Sequence, residues 1–208
     1  MEQNVKEANK RKIELLIRNL KKRNIIGYYC ETAEDARRQI RAMIRDEDVV
    51  SWGGSATLDQ IGIKKDLSNV IDAMAAPPER AYEERRRTLT ADVYLTSTNA
   101  ITMDGELVNI DGVGNRVAAM CFGPSKVIVV AGANKIAENE EAAIARIKTD
   151  ACPPNCIRLD KQTPCALTGK CGQCLTPGQT ICSYTVTTRF NSIPDRVHVI
   201  LVNEVLGY

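Results

Sequence analysis

The sequence predicts an α/β protein built on an open, mostly parallel sheet with helices on both faces. Short apolar runs of strand type alternate with amphipathic helical segments along most of the chain, and this alternation is typical of parallel sheets. The run Lys126–Val130 is β-branched throughout after its lysine, as expected for a strand that is buried on both faces. Because the chain has 208 residues, we expect a single domain over 1–208 with a substantial hydrophobic core.

The N-terminal half supplies the first helices and strands. A helical N-terminus over 1–23 is predicted to be amphipathic, because Ile13, Leu16 and Leu20 follow helical spacing. Thr32 is the expected N-cap of the second helix. The further elements expected in this half are a strand over 25–30, a helix over 33–44, strands over 49–52 and 70–74, and a helix over 77–87 that begins at two prolines.

The C-terminal half adds a hairpin and an irregular insertion. Asp104-Gly105 between two apolar runs predicts a local antiparallel hairpin with strands over 101–103 and 107–110. Strands over 92–98, 126–130 and 197–202 and helices around 117–120 and over 137–148 complete the alternation. The segment 151–187 interrupts it, because its prolines and glycines leave little room for regular elements. We expect this segment to be an irregular, cysteine-rich insertion in the domain.

Charge and composition exclude several classes of protein. Lys and Arg number 28 against 26 Asp and Glu, a net charge of +2, so we expect no nucleic-acid partner. The single histidine, His198, excludes a His-rich catalytic zinc site. No apolar window of membrane-spanning length and no signal-peptide pattern occurs. These features predict a cytoplasmic, reducing location, where clustered thiols bind metal or stay free rather than form disulfides.

The first candidate site is a glycine turn that joins a strand to a helix. Backbone N–H groups at the start of the helix, together with the hydroxyls of Ser55 and Thr57, are suited to hold a phosphate or carboxylate. Ligands also bind beyond the carboxyl ends of parallel strands, where this turn lies. In the alternative interpretation, the glycines only permit a tight turn and Ser55 caps the helix. The predicted ligand-binding residues here are Gly53, Gly54, Ser55 and Thr57.

The second candidate site follows the hairpin. Asp111 ends a strand and is a candidate catalytic acid–base group, while Arg116 could offer two N–H groups to an anion. In the alternative interpretation, Asp111 and Arg116 form an ion pair that closes the loop. The predicted ligand-binding residues here are Gly112, Gly114, Asn115 and Arg116.

The third candidate site is a group of thiols, since six of the eight cysteines lie between 152 and 182. Four thiolates around a CxxC core suit an iron–sulfur cluster or tetrahedral zinc, and the predicted ligands are Cys165, Cys171, Cys174 and Cys182. An alternative zinc site combines the CxxC core with Cys152 and Cys156, and a third possibility is a set of unliganded thiols. Cys30 and Cys121 are predicted to be packing residues.

Four segments together resemble the lactate-utilisation (LUD) domain family. They are Ser51–Leu58, Asp111–Arg116, Thr163–Cys182 and Leu201–Gly207. The resemblance implies the open α/β fold shared with ribose-5-phosphate isomerase, glucosamine-6-phosphate deaminase and the coenzyme A transferases, and it implies that the glycine turn lies at the ligand site. It also implies a connection with the oxidation of L-lactate to pyruvate, in which some members of the family act beside iron–sulfur partner proteins.

Three functions are therefore considered. The leading hypothesis is a protein that supports the use of L-lactate or a related hydroxy acid, binds a small anionic metabolite and forms part of a lactate-oxidising system. A non-redox enzyme acting on a sugar phosphate or an acyl-CoA, with Asp111 as its acid–base group, is the first alternative. A regulatory or binding subunit with a structural zinc knuckle is the second. Each is compatible with a homo-oligomer.

Overall fold

A computed structural model describes residues 2–208 and confirms the α/β fold. The helices are α1 (Gln3–Lys22), α2 (Ala33–Met43), α3 (Ala56–Ile61), α4 (Ala81–Arg87), α5 (Asn115–Cys121), α6 (Glu140–Arg146), α7 (Cys152–Arg158) and α8 (Pro164–Thr168). The strands are β1 (Ile26–Cys30), β2 (Val50–Trp52), β3 (Val70–Asp72), β4 (Val93–Thr96), β5 (Ala100–Thr102), β6 (Leu107–Asp111), β7 (Lys126–Gly132), β8 (Ile136–Ala137), β9 (Tyr184–Thr188) and β10 (Val197–Val202). Within residues 2–208, no helix is both long enough and apolar enough to cross a membrane.

The main sheet has six strands in the order β1-β10-β7-β4-β2-β3, and every pairing is parallel. Its central strands β7 and β10 are almost entirely buried, as their apolar sequences predict. Because all six strands run in one direction, their carboxyl ends meet at one edge of the sheet. The turns after β2, β4 and β7 are therefore neighbours in space, although they are distant in sequence.

Helices cover both faces of this sheet, as predicted. Alternate residues of each strand point to opposite faces, so Ile128 and Ile200 pack on one side and Val129 and Val199 on the other. Helices α2 and α3 bury apolar residues on the first side. Helix α1, with its predicted stripe, and α5 cover the second side.

The Asp104-Gly105 hairpin forms as predicted, but it lies at the centre of a second sheet. This sheet has the order β8-β5-β6-β9, in which β5 is antiparallel to β6 and parallel to β8, and β6 is antiparallel to β9. Its apolar residues pack against α6 and the following turn, including Ala143 and Ile147. The partners β8 and β9 come from segments that the sequence did not mark as strands.

Side-chain caps form at the N-termini of α2, α3 and α6. Thr32 caps α2 in a reciprocal arrangement with Asp35, as the sequence predicts. Helix α6 starts three residues later than expected, because Ile136–Ala137 pairs as β8 and Asn139 provides the cap. The prediction that Cys121 is a packing residue is wrong: it ends α5 on the exposed side, whereas Cys30 is buried.

The cysteine-rich segment 151–187 is irregular between 169 and 183, as predicted, but it begins with two short helices. Residues Ile147–Ala151 form a π-helical turn that carries α6 directly into α7. Pro153 and Pro154 lie in the first turn of α7. The π-helical turn directly before them marks the point where the regular hydrogen bonding of the helix is interrupted.

Candidate functional site

A cleft with a volume of about 600 Å³ lies at the carboxyl edge of the main sheet, against the second sheet and α7. Both glycine motifs border it, so the structure brings together two candidate sites that are far apart in sequence. The predicted ligand-binding residues that line the cleft are Gly54, Ser55, Thr57, Gly112, Asn115 and Arg116, and Asp111 lines it too. Gly53 and Gly114 lie behind this surface, in the turns that shape it.

The glycine turn between β2 and α3 is held in place by close packing and by a helix cap. A Cβ atom on Gly53 would lie 2.9 Å from the hydroxyl oxygen of Tyr94, a fully buried side chain. The hydroxyl of Ser55 accepts a hydrogen bond from the backbone N–H of Leu58 (3.3 Å) and so caps α3. Thr57 is buried, and its hydroxyl faces a side chain that the sequence analysis did not single out.

That side chain is Lys135, in the short turn after β7. It is only 4% exposed, and its Nζ lies 3.0 Å from Thr57 Oγ1 and 2.9 Å from Ser97 Oγ. Within residues 2–208 it forms no ion pair with a carboxylate. Desolvation, followed by the positive charges of Arg146 and Arg116, lowers the pKa of Lys135 to about 7. Its position beyond the end of a central strand was the available sequence signal.

Arg116 is a structural centre of the cleft. Its Nη1 donates to Ser97 O (3.2 Å) and Asn109 Oδ1 (2.5 Å). Its Nη2 donates to Asn99 Oδ1 (2.8 Å) and Ile110 O (3.0 Å). These bonds engage both terminal nitrogens with protein acceptors. The geometry therefore favours the loop-closing interpretation of Arg116 over the one in which it offers two N–H groups to a ligand.

Asp111 is held in the same network. Its carboxylate accepts hydrogen bonds from the backbone N–H groups of Gly112 (2.9 Å) and Val117 (3.1 Å) and lies 3.8 Å from Nε of Arg116. The bond to Val117 ties the carboxylate to the first turn of α5. These contacts hold the carboxylate in place.

The remaining charges in the cleft are basic. Arg85, Arg158 and Lys161 join Arg116 and Lys135 on its walls, and Asp111 is the one acidic side chain among the described lining residues. Arg158 is hydrogen-bonded to Asn155, and Lys161 to the backbone oxygen of Gly178. Within the described chain, neither forms an ion pair, and neither does Arg85. The cleft thus has a surplus of positive charge that an anion would neutralise.

The thiols are arranged differently from the predicted quartet. Cys182 Sγ lies 3.4 Å from Cys152 Sγ, and Cys165 Sγ lies 3.6 Å from Cys156 Sγ, while Cys171 and Cys174 lie outside both pairs. The hydrogen bond within the first pair raises the pKa of Cys152 and lowers that of Cys182 to about 7.

The fit of these thiols to a metal can be judged from their positions. Among residues 2–208, no three His, Cys, Asp or Glu side chains are placed together so that they could hold a metal ion. The described geometry therefore does not support an iron–sulfur cluster or zinc on the predicted quartet.

Comparison with known proteins identifies the family. A model of the LUD domain matches residues 13–202. The chain belongs to the LUD domain family. Membership supports a function related to lactate utilisation, in agreement with the resemblance of the four sequence segments. No curated protein matches the chain significantly.

One solved structure agrees with the fold of this LUD domain. A DUF162 family protein from Deinococcus radiodurans is 14% identical, with a TM-score of 0.52, and the match covers 95% of this chain and 98% of that one. A weaker match to eIF2B delta from Chaetomium thermophilum is 18% identical, has a TM-score of 0.34 and covers 52% of this chain and 49% of that one.

Replacement of Gly53 should destabilise the LUD domain. We expect Gly53→Ala to lower the free energy of unfolding by about 1–3 kcal/mol, because the added methyl group would crowd the buried Tyr94 hydroxyl. Urea unfolding measures the change. Gly54→Ala is the matched control, since its Cβ would meet no atom closer than 3.6 Å. Equal stability of the two variants would contradict the packing argument.

Removal of the Arg116 guanidinium should destabilise the protein more than replacement of Gly53 does. We expect Arg116→Met to lower the free energy of unfolding by about 3–5 kcal/mol, because several buried acceptors lose their donor and Asp111 loses its countercharge. Arg18→Met, on the exposed side of α1, should stay within about 0.5 kcal/mol of the wild type. A loss below about 1 kcal/mol for Arg116→Met, in the same urea titration, would show that the network is dispensable.

Lys135 should make stability depend on pH. In the unfolded chain its pKa is about 10.4, whereas in the folded protein it is about 7. Between these values the unfolded state binds a proton that the folded state lacks, so the contribution of Lys135 to stability rises with pH; below about pH 7 both states are protonated and the cost of burial is complete.

Comparison with Lys135→Met separates the pH dependence that Lys135 causes from that of all other titrating groups. Relative to Lys135→Met, the wild type should gain about 2 kcal/mol in free energy of unfolding between about pH 7 and about pH 9. Lys12→Met, at an exposed position of α1, should follow the wild type at every pH. Parallel pH curves for the wild type and Lys135→Met would refute the lowered pKa.

Proposed function

We propose that this LUD domain binds a small hydroxy-acid anion in the cleft and so serves the utilisation of L-lactate or a related acid. The observation that carries the proposal is the charge of the cleft walls, with five basic side chains and one acidic. The acidic one, Asp111, is already bonded to backbone N–H groups and lies beside Arg116. The surplus positive charge is therefore left for a ligand.

The arrangement of donors suits a molecule with a carboxylate next to a hydroxyl group. Of the three arginines on the cleft walls, Arg85 and Arg158 carry no carboxylate partner among the described residues, and we assign them to the carboxylate. Lys135 and its two hydroxyl neighbours form a second polar group in the cleft wall. We assign this group to the hydroxyl of the ligand, because an amine with a pKa of about 7 can donate or accept a hydrogen bond there.

Asp111 takes a positioning role in this proposal. Its carboxylate holds the first turn of α5 and faces Arg116, so it keeps the second glycine loop in shape beside the ligand. Lys135 is the better candidate for proton transfer, because a pKa of about 7 matches neutral conditions.

A sugar phosphate is the second candidate ligand. The cleft volume of about 600 Å³ exceeds what a three-carbon acid fills, and a phosphate would engage the same guanidinium groups. The iron–sulfur partner proteins implied by the family resemblance remain part of the leading proposal. Nothing in it depends on a cluster or zinc bound to the cysteines of this chain.

Calorimetric titration tests the proposal directly. L-lactate should bind, whereas lactamide, which is neutral and similar in shape, should not. Arg85→Gln and Arg158→Gln should each weaken L-lactate binding by roughly 10- to 100-fold, the effect of losing a hydrogen bond to a charged group. Arg86→Gln is the matched control for Arg85, because it lies on the same helix with an exposed side chain paired with Glu83.

The competing ligand is included in the same experiment. Binding of ribose 5-phosphate but not of L-lactate, with the same loss in the two arginine variants, would move the function to sugar phosphates. Equal heats for L-lactate and lactamide, or unchanged affinity in Arg85→Gln and Arg158→Gln, would overturn the assignment of the cleft to a hydroxy-acid anion.

A further inference from the structure

The two thiol pairs lie along one face of α7. Cys152 and Cys156 are four residues apart in that helix, so they lie on the same face in successive turns. Cys165, at the start of α8, meets the second of them, and Cys182, in the chain entering β9, meets the first. The helix is thus flanked by two dithiols that join it to different parts of the cysteine-rich segment.

The two pairs differ in access to solvent. Cys156 and Cys165 are both buried, at 1% and 6% exposure. In the other pair Cys152 is 7% exposed, whereas Cys182 is an exposed residue. Cys182 is therefore the member of this pair on the solvent side, and its sulfur lies 3.4 Å from that of the buried Cys152.

We propose that Cys182 and Cys152 form a redox-active dithiol that exchanges with low-molecular-weight disulfides of the glutathione type. Cys182, as its thiolate, attacks one sulfur of the disulfide, which forms a mixed disulfide and releases one thiolate. Cys152 then gives up its proton and attacks the sulfur of Cys182, which releases the second small thiol. The protein loses two hydrogens, and one small disulfide becomes two thiols.

The geometry supports both steps. A protein disulfide needs its sulfur atoms about 2 Å apart, and the present separation is 3.4 Å, so a small shift of an irregular, exposed segment closes the bond. Cys152 also lines the cleft, as do Ile181 and Ser183 on either side of Cys182. The bond would form within the cleft wall, yet the exchange itself does not depend on the identity of the cleft ligand.

The test uses the full chain, reduced and then exposed to excess glutathione disulfide. All proteins carry Cys121→Ser, which removes an exposed thiol outside both pairs. After acid quenching and alkylation, tandem mass spectrometry of the digest should show a bond between Cys152 and Cys182. With Cys152→Ser, one glutathione should remain on Cys182; with Cys182→Ser, none should be found on Cys152.

Several results would overturn the proposal. They are a bond that joins other cysteines instead, an absence of glutathione on Cys182 in Cys152→Ser, and alkylation of Cys152 and Cys182 in the treated protein as readily as before treatment. Stoichiometric iron or zinc in the purified chain, with these two thiols alkylated only after chelation, would equally overturn it. None of these readouts involves L-lactate, so failure here and failure of the proposed function are separate outcomes.

Discussion

The cleft of this LUD domain depends on one largely enclosed cation, Arg116, whose side chain is 13% exposed. The guanidinium of Arg116 lies between the two sheets, where it donates to the backbone of Ser97 after β4 and to the backbone and side chain of β6. Asn99 completes the contact, because its side-chain oxygen accepts from both Arg116 and the backbone of Ile110. A charge taken out of water must be compensated by such bonds, so the guanidinium and its acceptors fix the distance between the sheets.

The same cation also influences the chemistry of Lys135. Burial is the main cause of its lowered pKa, and the positive charges of Arg146 and Arg116 act in the same direction. The backbone packs closely as well, since a Cβ atom on Gly207 would lie 2.4 Å from Thr57 Oγ1 and 3.2 Å from Lys135 Nζ. The lowered pKa of Lys135 is therefore a consequence of how the strand ends are assembled, and no single neighbouring residue explains it.

The sequence predicts those features that depend on local pattern. Alternating apolar runs predict the parallel sheet, Asp104-Gly105 predicts the hairpin, and Thr32 predicts a helix cap, because each follows from the backbone or burial preferences of nearby residues. Lys135 and the bonds of Arg116 could not be predicted in this way. Their partners lie in α3, in the turn after β4 and in β6, and only the order of the strands in the sheets brings them together.

The cysteines also show that spacing along the sequence does not determine which side chains meet in the structure. The spacing of a CxxC motif with two flanking cysteines describes a ligand set only if the chain between them is free to fold around a metal. Here Pro153 and Pro154 lie directly after the π-helical turn, and the chain continues as α7, so Cys152 and Cys156 lie on one helical face, one turn apart. Each then contacts one member of the predicted quartet, Cys182 or Cys165. A helix that the prolines conceal in the sequence thus divides the quartet and places one of the resulting dithiols in the wall of the cleft.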